Sequence, residues 1–296
     1  MSEHPIVCRN VQKRYKEKLA LDGTDLVVPR GSVFGLLGLN GAGKTTLLKS
    51  LMGLVRIQGG EIRVLGKNPD ELDGATKARI GYVPQEVNLY HWMRVQQIVD
   101  YTASFYPRWN EAFVVRLLDE WQLDPRDKVG NLSGGQAQKL AIILALGHEP
   151  ELLILDEPAA SLDPMARREF LKTLLAMIDS GERTVLFSTH ITSDLERVAD
   201  HVGILKAGKT VYAGELGDLK DTFKRLRVTA RQPLPASLNG IPGIIRYEVD
   251  GQRALLTVRG STEAMRRDLE SRFGADITQE DLNLEEIFLE IHRARP

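Results

Sequence analysis

The sequence has a single cysteine, no long apolar run and no excess of either charge. Cys8 stands alone among 296 residues, so no disulfide can form within the chain. No segment reaches the roughly 18 to 20 apolar residues that a membrane-spanning helix requires. The first residues also lack the basic stretch and apolar core of a secretory signal. These absences predict a cytosolic chain that does not cross a membrane by itself.

The charge balance argues against nucleic acid as a partner. The formal net charge is -1, and the lysines and arginines are dispersed along the chain. Nucleic-acid binding usually depends on a basic tract or face that neutralises phosphates. We therefore expect no nucleic-acid partner.

The length and the order of the apolar runs predict the fold class. A chain of 296 residues can bury a full α/β core and a smaller second domain. Short apolar runs alternate with helical patterns up to about residue 213, which predicts an α/β architecture with a mainly parallel sheet. The clearest strands, each apolar enough for burial on both faces, are Ser32–Leu37, Glu61–Leu65, Leu152–Leu155, Thr184–Phe187 and His201–Leu205.

Other segments depart from this alternation. The opening, 6–11 and 19–28, predicts an antiparallel edge subdomain, and helical spacing over 87–146 predicts an inserted helical subdomain. We expect the first domain to span 1–218 and a small α+β C-terminal domain to span 219–296. In the second domain, an apolar stripe at helical spacing covers either a local core or a second copy of the chain. Its residues are Leu284, Ile287, Phe288 and Ile291.

A glycine-rich segment follows an apolar strand and leads into a helical run over 46–54. Glycines let successive backbone N–H groups surround phosphate oxygens, and the helix N-terminus adds partial positive charge. Lys44 then reaches the β and γ phosphates, and the Thr45 hydroxyl can coordinate Mg²⁺. The alternative, an ordinary turn with a solvated lysine, is disfavoured by the complete motif in its strand-loop-helix context. The predicted ATP-binding residues of this P-loop are Gly38, Leu39, Asn40, Gly41, Ala42, Gly43, Lys44, Thr45 and Thr46.

A second nucleotide motif is an apolar strand that ends in two acids, Asp156 and Glu157. Asp156 lies at the carboxyl end of the strand, where open α/β sheets bind ligands, and can hold Mg²⁺ through a water. Glu157 faces another direction because strand side chains alternate. It can therefore deprotonate the attacking water. The alternative is that both acids only solvate a strand end.

The pentapeptide Leu132-Ser133-Gly134-Gly135-Gln136 stands before that strand and leads into a helical run over 137–146. Ser133 is suited to cap the helix. Together with the two nucleotide motifs, the pentapeptide makes the chain resemble the ATP-binding-cassette family over about residues 6–214. The resemblance implies a P-loop NTPase fold. It also implies that Ser133, Gly134, Gly135 and Gln136 meet a γ-phosphate bound to the opposite subunit.

Four more residues match positions in the motifs of that family. Gln85 resembles the glutamine that senses Mg²⁺ and the attacking water, and His190 resembles the histidine that contacts the γ-phosphate. Asp163 lies in a segment that resembles the loop exchanged between subunits, and Tyr15 resembles the aromatic residue that stacks on adenine. Singly, the glutamine, histidine and tyrosine have ordinary alternatives: a turn residue, a satisfied polar group and half-buried packing.

The resemblance implies an ATPase that binds ATP and Mg²⁺ and pairs as a homodimer, or as a heterodimer with a related ATPase. It further implies a separate membrane permease, which would hold the chain peripherally at the cytoplasmic face of the membrane. The segments 283–290 and 105–109 resemble ATPases of the exporter branch. The alternative is a soluble cassette ATPase acting on ribosomes or DNA, which a single cassette without sustained heptads disfavours.

The segment Leu89-Tyr90-His91-Trp92-Met93 places large apolar groups in a predicted surface loop. An exposed apolar patch is expected where a partner docks. The alternative is that Trp92 packs inside the helical subdomain. The sequence leaves both interpretations open.

Overall fold

The computed structural model describes residues 4–178, 183–235, 237, 238, 241–260 and 262–293. The contacts within the chain divide it into two units, with the division between Ala213 and Gly214. Within the described residues, no helix is both long enough and apolar enough to span a bilayer.

The first unit contains a six-stranded sheet in the order β5-β6-β7-β3-β8-β9. The first five strands of that order run parallel. Strands β3, β6 and β7 are buried along their whole length, which confirms the predicted mainly parallel core. The strands are β3 (Val33–Leu37), β5 (Ile80–Val83), β6 (Leu152–Asp156), β7 (Thr184–Thr189), β8 (His201–Lys206) and β9 (Lys209–Glu215).

A three-stranded sheet, β2-β1-β4, confirms the predicted antiparallel addition. It comprises β1 (Ile6–Tyr15), β2 (Lys18–Val28) and β4 (Gly59–Val64). The prediction that 61–65 is buried on both faces is wrong. Glu61 and Arg63 alternate with buried Ile62 and Val64, so only one face of β4 contacts the core.

Helices cover the parallel sheet and fill the segment between β5 and β6. They are α1 (Lys44–Leu51), α2 (Gly74–Lys77), α3 (Val95–Ala103), α4 (Glu111–Glu120), α5 (Gly134–Leu146), α6 (Pro164–Ile178) and α7 (Thr192–Val198). Helix α1 begins two residues before the predicted run 46–54, and α5 begins three residues before the predicted run 137–146. In α5 the reason is the capping box of Ser133 and Gln136, which starts the helix at the glycines.

The second unit contains a four-stranded antiparallel sheet, β11-β12-β10-β13. Its elements are α8 (Leu216–Thr222), β10 (Phe223–Thr229), β11 (Ile244–Asp250), β12 (Arg253–Arg259), α9 (Thr262–Phe273), β13 (Asp276–Asp281) and α10 (Leu284–Arg293). Strand β13 was not predicted because its residues are almost all polar. It forms because its backbone pairs with β10 over six residues.

Most of the apolar stripe of α10 is buried within the chain, and only Ile291 is partly exposed. Leu284 and Ile287 are fully buried, and Phe288 is nearly so. Two ion pairs also join α10 to the sheet, from Glu286 to Arg225 and from Glu290 to Arg246. This burial supports the interpretation that the stripe covers a local core.

A buried histidine after α5 makes the stability of the fold sensitive to pH. The His148 ring stacks on Tyr106 with centroids 4.0 Å apart, and its Nε2 lies 3.2 Å from the Ile80 carbonyl oxygen. Burial lowers the pKa of His148 to about 4. Between about pH 6.5 and pH 4, His148 is therefore protonated in the unfolded chain and neutral in the folded chain. Because the unfolded chain binds the additional proton, the free energy of unfolding decreases as the pH falls through this range.

We expect the free energy of unfolding to decrease by about 2 kcal/mol between pH 7 and pH 5 through His148 alone. Denaturant unfolding of the wild type and of His148→Phe at both pH values isolates this contribution, because phenylalanine keeps an aromatic ring but does not titrate. Equal pH dependence in the two proteins would contradict the assignment.

Candidate functional site

The P-loop joins β3 to α1 and depends on its glycines. Gly41 and Gly43 have φ angles of 80° and 110°, in the left-handed region that disfavours other residues. A Cβ on Gly43 would lie 2.5 Å from the Ala20 carbonyl oxygen, and a Cβ on Gly38 would lie 2.7 Å from that of Leu205. Side chains at these positions would displace the backbone that curls over the site.

The P-loop forms one wall of a cavity of about 400 Å³. Gln85 and Glu157 reach this cavity from the ends of β5 and β6, and Tyr15 reaches it from β1. Lys18 and Ala20 also line it, although no sequence pattern singled them out. The complete lining is Tyr15, Lys18, Ala20, Leu39, Asn40, Gly41, Ala42, Gly43, Lys44, Thr45, Thr46, Gln85 and Glu157.

Lys44 and Glu157 form a buried ion pair at the base of the cavity. The Lys44 Nζ lies 3.1 Å from Glu157 Oε1, and both side chains are only 6% exposed. The same Nζ donates a hydrogen bond of 2.7 Å to the Gly38 carbonyl oxygen. Because the pair is screened little by water, a phosphate that enters the loop competes directly with Glu157 for this ammonium group.

Asp156 is fully buried at the end of β6. Its Oδ1 accepts a 2.6 Å hydrogen bond from the Ser188 hydroxyl on β7. Burial raises the pKa of Asp156, against the opposing effects of the Ser188 and Thr45 hydroxyl groups. Within the described part of the chain, its Oδ2 has no hydrogen-bond partner. A buried carboxylate oxygen without a partner is a position that a cation or its bound water would satisfy.

The oxygens near Asp156 fit Mg²⁺ together with nucleotide phosphates. Thr45 Oγ1 lies 3.2 Å from Gln85 Oε1, so a hydroxyl and an amide oxygen are already adjacent at the cavity. Mg²⁺ prefers oxygen ligands, keeps several waters and is commonly held by one or two protein groups and substrate phosphates. Thr45, Gln85 and Asp156 match that donor set.

Glu157 follows β6 in a left-handed backbone conformation, with φ of 50°. This conformation costs a non-glycine residue about 1 to 2 kcal/mol. Its N–H donates a 2.9 Å hydrogen bond to Ser188 Oγ, which holds the turn. Its Oε2 lies 2.9 Å from His190 Nδ1. The turn thus aims the carboxylate at Lys44 and His190, in the direction of the P-loop.

The pentapeptide 132–136, which we call the signature, lies outside this cavity. Ser133 accepts a 3.3 Å hydrogen bond from the Gln136 N–H, and Gln136 accepts one of 2.9 Å from the Ser133 N–H. Ser133 and Gly134 are exposed, and no signature residue is among those that line the cavity. The N-terminus of α5 is therefore exposed and separate from the P-loop cavity.

Asp163 caps the neighbouring helix, α6. Its Oδ1 accepts hydrogen bonds of 2.9 and 3.0 Å from the N–H groups of Met165 and Ala166, and these bonds lower the pKa of its carboxyl. A Cβ on Gly135 would lie 3.0 Å from the Ser161 carbonyl oxygen. The loop 161–163 therefore lies next to the N-terminus of α5.

Two aromatic features are exposed. Tyr15 lines the cavity, and the Lys13 ammonium lies 4.9 Å from the centroid of its ring. Trp92 is 71% exposed, so the interpretation that it packs inside the helical subdomain is wrong. Tyr90, Tyr101 and Phe105 are also exposed and follow one another at centroid distances of 5.7 and 5.0 Å, with Trp92 6.0 Å from Tyr90. We call Tyr90, Trp92, Tyr101 and Phe105 the aromatic patch.

The chain is similar to known ATP-binding proteins of ABC transporters. The family model described as ABC transporter matches residues 21–160. Nod factor export ATP-binding protein I of Rhizobium meliloti is 33% identical over 95% of this chain and 86% of its own length. The protein of the same name from Burkholderia lata is 32% identical over 97% of this chain and 96% of its own length.

Solved structures show the same architecture. An ATP-binding subunit of an ABC transporter superposes with a TM-score of 0.66 at 30% identity, covering 73% of this chain and 92% of its own. A dimeric bacterial ABC transporter cassette superposes with a TM-score of 0.64 at 25% identity, covering 71% of this chain and 98% of its own.

Proposed function

Because this chain belongs to the ABC transporter family of ATP-binding proteins, we propose that it hydrolyses ATP to drive export through a separate membrane permease. The observation that carries the proposal is the cavity itself. It brings Lys44, Gln85 and Glu157 together from three separate parts of the chain. The likeness to proteins named for Nod factor export supports the direction of transport.

ATP binding begins with the P-loop. Backbone N–H groups of 41–45 and the N-terminus of α1 surround the phosphates. The Lys44 ammonium moves from Glu157 towards the β and γ phosphates, which carry more negative charge than one carboxylate. Tyr15, at the rim of the cavity, offers a ring face to adenine. Thr45, Gln85 and Asp156 would hold Mg²⁺, which neutralises charge on the β and γ phosphates when bound.

Hydrolysis then depends on Glu157 and His190. Once Lys44 contacts phosphate, the Glu157 carboxylate is free to accept a proton from a water aligned with the γ-phosphoryl group. His190 touches Glu157 and is about half exposed, so its ring can orient the carboxylate and donate a hydrogen bond to the γ-phosphate.

A complete site requires a second chain. The exposed N-terminus of α5, with Ser133 and Gly135, supplies N–H groups and partial positive charge suited to a γ-phosphate. Two chains that pair head to tail would place each signature opposite the P-loop of the other, with the Asp163 loop beside it. The partner is a second copy of this chain or a related ATPase.

The aromatic patch is the proposed docking surface for the permease. It follows Gln85 along the chain, so a change at the γ-phosphate can reach it through a short segment. Exposed clusters of large apolar side chains are uncommon on monomers and mark interaction sites. Docking there would hold the ATPase peripherally at the cytoplasmic face of the membrane.

A photo-crosslinking amino acid at Trp92 should capture an integral membrane protein in cells, because the side chain would be buried against the permease. The crosslinked band is identified by mass spectrometry after membrane extraction. Val211 on β9 is exposed and apolar but distant in sequence from the patch, so the same amino acid there is the matched control. Capture of ribosomal proteins or DNA-associated proteins at Trp92 would instead favour a soluble, non-transport ATPase.

A further inference from the structure

Ser188 contacts both acids of the second nucleotide motif with one hydroxyl group. It lies on β7 directly opposite Asp156 in the parallel register of β6 and β7. Its Oγ donates to Asp156 Oδ1 at 2.6 Å and accepts from the Glu157 N–H at 2.9 Å. A hydroxyl offers one donor and two acceptor lone pairs, so it can make both bonds at once.

The first bond orients the Asp156 carboxylate. A carboxylate rotates readily about its last torsion, which has no sharp minima of its own. The Ser188 donor engages Oδ1 and leaves Oδ2 without a partner in the described chain. Because both residues are fully buried, bulk water does not compete with this donor for the carboxylate.

The second bond holds the backbone of Glu157. The φ of 50° at this residue is disfavoured, and conformations of this kind persist only where surrounding contacts hold them. The Ser188 Oγ is the acceptor for the N–H of that strained residue. The direction of the Glu157 side chain towards Lys44 and His190 follows from the same turn.

We propose that Ser188 is a positioning residue that aligns the metal-facing carboxylate of Asp156 and the base Glu157 through one shared hydroxyl. The inference rests on the proposed function, since it assigns the two acids their roles in ATP hydrolysis. Ser188 itself touches neither substrate nor metal. Removal of the Ser188 hydroxyl would therefore weaken Mg²⁺-dependent nucleotide binding and lower turnover together, while the P-loop still holds the phosphates.

Ser188→Cys tests the proposal without opening a cavity, because a thiol fills the site but is a weak donor and acceptor. We expect kcat to fall by about 10- to 100-fold, the range typical for removal of a partner that orients a metal ligand. Titration of a fluorescent ATP analogue should show weaker binding with Mg²⁺ and unchanged binding in EDTA. Ser188→Thr keeps the hydroxyl group. It should therefore retain a higher turnover than Ser188→Cys and bind the analogue more tightly in the presence of Mg²⁺.

Thr184→Val is the matched control. Thr184 lies at the other end of β7, is equally buried, and its hydroxyl accepts a 2.9 Å hydrogen bond from the Gly31 N–H. Valine keeps its shape and removes one buried hydrogen bond of comparable kind, so thermal stability should fall while Mg²⁺-dependent binding stays unchanged.

Three results would overturn the proposal. The first is a kcat for Ser188→Cys within about twofold of the wild type. The second is a loss of nucleotide affinity in Ser188→Cys that is the same with Mg²⁺ and in EDTA. The third is a loss of kcat and of Mg²⁺-dependent binding in Thr184→Val equal to that in Ser188→Cys. The wild type separates this inference from the proposed function. If the wild type hydrolyses ATP, such results reject only the role of Ser188, whereas a wild type without ATP hydrolysis rejects both.

Discussion

Glu157→Gln should lower ATP turnover by about 10²-fold or more, because glutamine cannot accept the proton of the attacking water and positioned acid-base catalysis contributes typically 10²- to 10⁴-fold. ATP should still bind. The carboxylate that holds Lys44 at 3.1 Å loses its charge, so the ammonium is released for the phosphates. With hydrolysis blocked, ATP should accumulate at the interface and trap a dimer.

Steady-state kinetics measure the turnover, and size-exclusion chromatography with ATP measures the dimer. Glu151→Gln is the matched control, since Glu151 stands just before the opposite end of β6 and pairs with Arg79 at 2.7 Å, away from the cavity. It should leave turnover unchanged. If Glu157→Gln kept turnover within about twofold of the wild type, the base would be another group.

Mixing two inactive chains, Lys44→Ala and Ser133→Arg, should restore ATP hydrolysis. Lys44 lies in the cavity, whereas Ser133 lies outside it on the exposed N-terminus of α5. In a heterodimer, one site combines an intact P-loop with an intact signature and the other site carries both defects. Random pairing makes half the dimers mixed, so independent sites would return about a quarter of wild-type activity.

The control mixture combines Lys44→Ala with a chain that carries both substitutions. That mixture contains no intact composite site and should stay inactive at every ratio. Heterodimers that form and yet remain inactive in the first mixture would mean that each site is complete within one chain, or that hydrolysis requires two intact sites.

Much of the fold was readable from the sequence because its signals are local. The parallel strands β3, β6, β7 and β8 were predicted from apolar runs, and the antiparallel edge from the opening segments. The parallel strand β5 was not predicted, and the apolar run 61–65 belongs to the antiparallel sheet. The start of α5 was predicted three residues late because the cap at Ser133 extends the helix beyond its apolar pattern. Strand β13 was not predicted because its polar composition gives no strand pattern. It becomes a strand through its backbone pairing with β10.

The residues of the candidate site also differ in whether a local motif places them. Residues within one motif, such as Lys44 and Thr45, could be assigned because a strand, a tight turn and a helix fix their relative positions over a few residues. Lys18 and Ala20 could not, because their place at the cavity depends on how the antiparallel sheet meets the P-loop. The exposure of Trp92 was equally undecided, since burial depends on what the rest of the chain packs against it.

The sequence by itself determined the class of chemistry: a P-loop, an acidic strand end and a separate signature can be read from residue order. Only the tertiary structure decided that Lys44 and His190 both contact the Glu157 carboxylate. It also decided that the signature lies outside the cavity and that the hydroxyl of buried Ser188 contacts both acids. These contacts join residues that are far apart in the sequence, and they form because the strand order of the sheet places β6 beside β7 and β7 beside β3.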